Sequence, residues 1–295
     1  MRLPDSTRPA LAPAARKSIV FNLAWYELLA IFLIIAGEGL LFAGHIVLDV
    51  ALQVLNIIAV AVIVVALRDE RVQLVQALAL LSVFRVVYLS FALLPAICWF
   101  AIVWVMCAPL LLVIPTATLY LWVASYGVMF IPIIAIVARR KLSRYDLGLT
   151  GGLRLTYLIP FGILVGAGIG LLEYAILANN PLIPNASVSE LTRLSIVMIF
   201  FAVLVEELLY RVLLQPQLIE RSGAVAGILI TSVIFGAMHA GYANIYETLF
   251  TFGASIVFGV AFYKTKNLPF VVTMHAVDDI LLFGVLPFLT LVLPH

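Results

Sequence analysis

Residues 196–216 read Ile-Val-Met-Ile-Phe-Phe-Ala-Val-Leu-Val-Glu-Glu-Leu-Leu-Tyr-Arg-Val-Leu-Leu-Gln-Pro. The run is long enough and apolar enough to cross a bilayer, which takes about 20 residues of helix. Yet Glu206, Glu207 and Arg211 fall inside it. A charged side chain at membrane depth costs at least a few kcal/mol, so such groups mark function by default. Glu207 and Arg211 stand at i,i+4 and share one face of a helix, where they can form a charge-assisted pair. Glu206 is rotated by about 100° and stays outside that pair, free to act as a general base or acid.

The rest of the chain has the same character. Of 295 residues, 65% are hydrophobic and 11% charged, and the mean hydropathy is +1.20. Soluble domains are nearer to 45–50% apolar and about 25% charged, so both a water-soluble domain and a disordered chain are excluded. The apolar runs are long and unbroken, against the short alternating segments of a β-barrel. The fold class expected is all-α, a polytopic helical membrane protein with about eight to ten transmembrane helices. Candidate spans lie near 19–43, 46–67, 73–95, 97–115, 117–138, 153–178, 192–214, 224–241, 247–263 and 268–292, with two spans and a re-entrant piece as the alternative for 72–138. The chain divides into a polar tail, 1–17, N-terminal transmembrane helices, 18–145, and a catalytic core, 146–295. A net charge of +2 gives no reason to expect nucleic acid. Cys98 and Cys107 form neither a disulfide framework nor a zinc motif.

The densest basic loop, 139–144, belongs in the cytoplasm by the positive-inside rule. Counting forward puts 179–190 outside, Glu220 to Gly223 inside, 241–246 outside, and Lys264 with Lys266 inside. Counting back through five spans puts the basic tail outside, against the rule. Glu27, Glu38, Asp49 and Arg85 in the first half show no common spacing and read as helix-pairing groups, and Gln53 and Asn56 as interhelical hydrogen-bond formers.

In the last third the polar groups converge. Phe235 and His239 stand at i,i+4 in one span, His275 and Asp279 in the next, with Asp278 turned away. Glu206 and His239 are equally far, ~25 Å of helix, from the turn at Ser222-Gly223, so they share one level within the inner or middle zone of the bilayer. A carboxylate and two imidazoles there can activate water in two ways. His239 and His275 with a carboxylate could bind a divalent metal such as zinc, which acidifies its water. In the other scheme Glu206 and His239 act as general bases without metal. His275 and Asp279 then support the oxyanion, with Asp279 as donor, ligand or the acceptor that sets the His275 tautomer. Both lead to hydrolysis, of a peptide bond before others. The HExxH of zinc proteases is missing. Gly253-Ala254-Ser255-Ile256 lacks the last glycine of GxSG, and no GxGD follows Tyr145-Asp146.

The residues Glu206-Glu207-Leu208-Leu209-Tyr210-Arg211, Phe235 to His239, and His275 to Asp279 resemble the EExxxR, FxxxH and HxxxN or HxxxD motifs of the CAAX proteases and bacteriocin-processing enzymes (the CPBP or ABI family). The resemblance implies a membrane endopeptidase, open to the cytoplasm, in which Glu206 and His239 activate water. His275 and Asp279 would support the oxyanion, and Glu207 and Arg211 would be structural or orienting. Family members have been described as metalloproteases and as metal-independent glutamic proteases, so the cofactor stays open between a divalent metal and none. Asp279 stands where many members carry Asn, and an Asp donates a hydrogen bond only when protonated. The partners implied are membrane lipid and a membrane-associated protein or peptide: prenylated in eukaryotic relatives, a peptide precursor or sorted protein in prokaryotic ones. The localisation is a membrane, the cell membrane if the source is prokaryotic. A proton-coupled carrier using the same Glu/His cluster, and a non-catalytic scaffold, are the competing readings.

Overall fold

The protein was examined as a computed structural model that describes residues 22–67, 72–101, 117–149 and 155–290. Among these, nine helices account for the fold. They are α1 (Trp25–Phe42), α2 (Ile46–Leu67), α3 (Val72–Ala101), α4 (Ala117–Arg139), α5 (Leu155–Leu177), a continuous α6 over 188–222, α7 (Ala224–Ala237), α8 (Ile245–Thr265) and α9 over 268–290. The chain is an all-α polytopic membrane protein. All of these except α6 are long and apolar enough to cross a bilayer. Without water in the hydrocarbon, a helix is the form that satisfies its own backbone groups. The helix starts are marked by side-chain caps: Asn244 accepts from Tyr246 N–H at 3.0 Å and Asn267 from Phe270 N–H at 2.8 Å.

Helix α6 changes register along its length. Two π-helical stretches, Met198–Val203 and Leu208–Leu214, flank the single α turn Leu204–Glu207. A third, Leu281–Val285, follows Asp279 in α9. Such wide turns recur at functional sites because they re-aim side chains that a regular helix would point elsewhere.

Contacts between helix ends define one rim of the bundle. Asn22 N–H donates to Arg221 O at 3.2 Å, and Arg140 Nη2 to Gln73 O at 2.6 Å. Leu149 bridges Asn267. The starts of α1 and α3, the end of α4, loop 140–149 and the α6/α7 and α8/α9 turns therefore share that rim. In the loop, the Asp146 carboxylate accepts from the Ser143 N–H and hydroxyl at 2.8 and 2.7 Å, which holds it below the usual carboxylate range. The start of α1 and loop 140–149 lie at the same rim, so four helices separate them. This removes the conflict over the basic tail that five spans created. The span expected at 97–115 extends beyond α3 into residues outside the described ones.

Glu38, Asp49 and Arg85 find partners within the first half, whereas Glu27 lies 3.8 Å from Arg221 at the rim. Arg85 grips Glu38 through two bonds of 2.6 Å. Gln53 joins Asp49 at 3.0 Å and Ser82 at 2.7 Å, and Asn56 reaches Ser82 at 2.9 Å.

The second half is organised around a seam between α5 and α9. Gly162, Gly166 and Gly170 repeat every four residues on α5 and face Phe270, Met274 and Asp278 of α9. A Cβ on Gly166 would run into the Met274 carbonyl, so only glycine lets the backbones approach this closely. Met274 precedes His275. The seam thus sets the position of that imidazole.

Candidate active site

The structure brings Glu206, His239, His275 and Asp279 to one chamber of about 50 Å³, lined also by Tyr126, Glu173, Glu247 and Phe258. That is room for very few waters. A larger cavity of about 290 Å³ adjoins it, and Glu206, His239, Tyr126, Trp122 and Tyr242 line both.

The two adjacent glutamates reach the same imidazole from opposite sides. Glu207 Oε1 accepts from His275 Nδ1 at 2.9 Å, while Glu206 Oε2 lies 3.8 Å from Nε2. Asp279 Oδ1 is 3.9 Å from Nε2 as well. A carboxylate on Nδ1 fixes the ring and leaves Nε2 facing the chamber. The tautomer of His275 is therefore set by Glu207, and Asp279, weighed in the sequence for that task, sits on the other nitrogen. The gaps of 3.8 and 3.9 Å exceed a hydrogen bond, so both carboxylates face Nε2 without bonding to it.

Glu207 is fully buried and also accepts from Arg211 Nε at 3.0 Å. Arg211 is held in turn by Ser255 at 3.0 Å and Gln215 at 3.5 Å. Removing a charge from water is costly unless its partners are all present, and this network supplies them. Glu206 stands apart from it and accepts from the Tyr126 hydroxyl at 2.7 Å.

The second histidine is oriented by its own helix. His239 Nδ1 lies 2.9 Å from the Phe235 carbonyl, which can only accept, so Nδ1 carries the proton and Nε2 has a free lone pair. The Phe235 ring packs on His239 at 4.8 Å and on His275 at 5.8 Å, with the Arg211 guanidinium at 5.5 Å. Phe258 stacks on His275 at 4.9 Å. The four-residue spacing of Phe235 and His239 thus serves a hydrogen bond and a ring contact together.

Among the described residues no three His, Cys, Asp or Glu side chains are gathered as a metal ion requires. His275 commits Nδ1 to Glu207, and His239 commits Nδ1 to a carbonyl. Each ring therefore keeps its Nε2 free while an acceptor holds Nδ1, an arrangement that general-base and metal-ligating histidines share.

Sequence reasoning missed Tyr126, Glu173 and Glu247. Glu173 is the only acidic or basic side chain in α5 and was findable by the rule that singled out Glu206. Tyr126 carries no such signal, being an aromatic residue among others in an apolar helix. Asp278, expected to turn away, also lines the chamber.

Residues 189–281 match the family model described as Type II CAAX prenyl endopeptidase Rce1-like. This segment is similar to that family. It contains all three motifs, and the resemblance read from them holds. The Rce1-like match points to an intramembrane CAAX-type endopeptidase and does not favour the carrier reading. No curated protein and no solved structure matches the chain. Tyr126 and the other α1–α4 residues of the two cavities lie outside the Rce1-like segment.

Proposed function

We propose that the chain is a metal-independent intramembrane endopeptidase of the glutamic type, acting on a polypeptide presented within or at the bilayer. What carries this reading is Glu206, buried, outside the Glu207–Arg211 ion pair, and facing the same chamber as both imidazoles.

Glu206 takes a proton from a water held between its carboxylate and His275 Nε2. The water oxygen bonds to the scissile carbonyl carbon, and the carbonyl π electrons move to oxygen. His275, carrying a proton on Nε2 as well as on Nδ1, and Asp279 in its protonated form, stabilise that oxyanion. The C–N bond then breaks, and the proton on Glu206 passes to the leaving amine through the free Nε2 of His239. General acid–base transfer of this kind is worth on the order of 10²–10⁴ in rate, and fixed donors at an oxyanion about 10²–10³ more. Tyr126 keeps the carboxylate pointed at the water.

The test is peptide mass spectrometry on membranes from cells carrying the wild type or Glu206→Gln. Products that appear only with the wild type support the proposal and identify the substrate. Identical peptide profiles, with equal protein levels, refute it.

A further inference from the structure

We infer that the chamber takes its substrate from the face of the membrane opposite the basic rim, the extracytoplasmic face, and so acts on polypeptide segments exposed there. The substrate part rests on the endopeptidase reading above; the side of opening does not.

The first argument is where the space lies. The larger cavity runs from Glu206 and Tyr210 to Leu41, Ile46 and Gly241. Leu41 is in the last turn of α1, Ile46 begins α2, and Gly241 lies in the turn after α7, all at the end away from the rim formed by Arg221, Arg140 and Asn267. His239 comes sixteen residues after Gly223, about 24 Å from the rim at 1.5 Å per residue. The small chamber leans the same way, since Glu247 is in the first turn of α8 and Glu173 in the last turn of α5. Gly241 is exposed, as is Tyr242, which lines both cavities.

The second argument is the seal on the other side. Between the site and the rim, Arg211 donates to Ser255, Gln215 donates to Gly259 O at 3.0 Å, and Leu214, Leu218 and Phe262 are buried. Neither of the two cavities is lined by any of these residues.

The third is charge. Arg139, Arg140, Lys141, Arg144, Arg221, Lys264 and Lys266 all lie at the rim, whereas connections 43–45, 178–187 and 240–244 at the opposite end contain no Lys or Arg. The nearest cation there, Arg193, is paired with Glu190. Residues 102–116, between α3 and α4, carry none either. The rim is therefore cytoplasmic by the positive-inside rule. The family resemblance had implied an opening to the cytoplasm, and the sequence had placed the ~25 Å level of Glu206 and His239 in the inner or middle zone of the bilayer. A substrate reaching this site presents its cleaved bond to the outer half of the bilayer.

The experiment is cysteine labelling in a Cys98→Ser, Cys107→Ser background. Tyr242→Cys reports the chamber, Tyr246→Cys the surface beside it, and Lys264→Cys the rim. With a membrane-impermeant maleimide, Tyr242→Cys and Tyr246→Cys should react in intact cells, and Lys264→Cys only in inverted vesicles. Labelling of Tyr242→Cys from inverted vesicles alone, or from neither side, overturns the inference, as does labelling of Lys264→Cys in intact cells. Should Tyr242→Cys fail to accumulate, reaction of Tyr246→Cys only in inverted vesicles overturns it equally. Labelling needs no turnover, so this result stands apart from the Glu206→Gln experiment.

Discussion

The Nδ1 of His275 lies 2.9 Å from Oε1 of Glu207, and that bond divides the labour of two adjacent glutamates. Glu207 is bound to Arg211 and to the ring, is fully buried and does not line the chamber. Glu206, one position earlier, is left for chemistry. Replacing Glu206 by Gln should lower turnover by about 10²–10⁴ with little change in thermal stability, measured on purified protein in detergent. Retained turnover would contradict the role given to it.

Glu207→Gln should behave in the opposite sense. Removing one partner of a buried ion pair leaves the other charge uncompensated, at a cost of about 3–5 kcal/mol. A lowered unfolding temperature is expected for Glu207→Gln and for Arg211→Met. The double variant should lose less than the two single losses added together, because neither charge is then stranded.

Tyr126→Phe removes one hydroxyl and keeps the ring that packs on Phe84 at 4.8 Å. Hydrogen bonds to charged groups contribute about 1.5–3 kcal/mol, so a fall of roughly 10- to 100-fold in kcat is expected. The unfolding temperature should fall only by the share of that one bond, since the ring and its packing are kept. An unchanged kcat would show that Glu206 is oriented without help from α4.

Gly166→Leu should destabilise the protein and abolish activity, because the α5–α9 seam has no room for a side chain. Gly168→Leu is the control, since nothing lies within 4 Å of a Cβ there. Equal behaviour of the two variants in thermal unfolding would refute the seam as the element that places His275.

Dialysis of the purified protein against a strong chelator should leave turnover unchanged, because the described residues gather no three-ligand set. Loss of activity restored by zinc would refute the glutamic reading.

Much of this was legible in the sequence, and the limits have physical causes. The apolar runs gave the helices, since in hydrocarbon any long apolar segment must satisfy its backbone internally. The i,i+4 spacing of Glu207 and Arg211 gave the ion pair before any coordinates. Tyr126 was invisible because its role depends on α4 lying beside α6, 80 residues away in sequence, and aromatic residues have no spacing that reports such a neighbour. The Gly162, Gly166 and Gly170 repeat was present in the sequence, but its partner helix was not.

Arg85 donates both to Glu38 and to the backbone oxygen of Met238, the residue immediately before His239. The carbonyl at the end of α7, which has no partner further along its own helix, is thus capped by a side chain from 153 positions upstream. The segment that matches the family model thus leans on a helix outside it. Split away from the first four helices, it would expose an uncapped helix end next to His239, so a shortened version of this protein should keep the guanidinium.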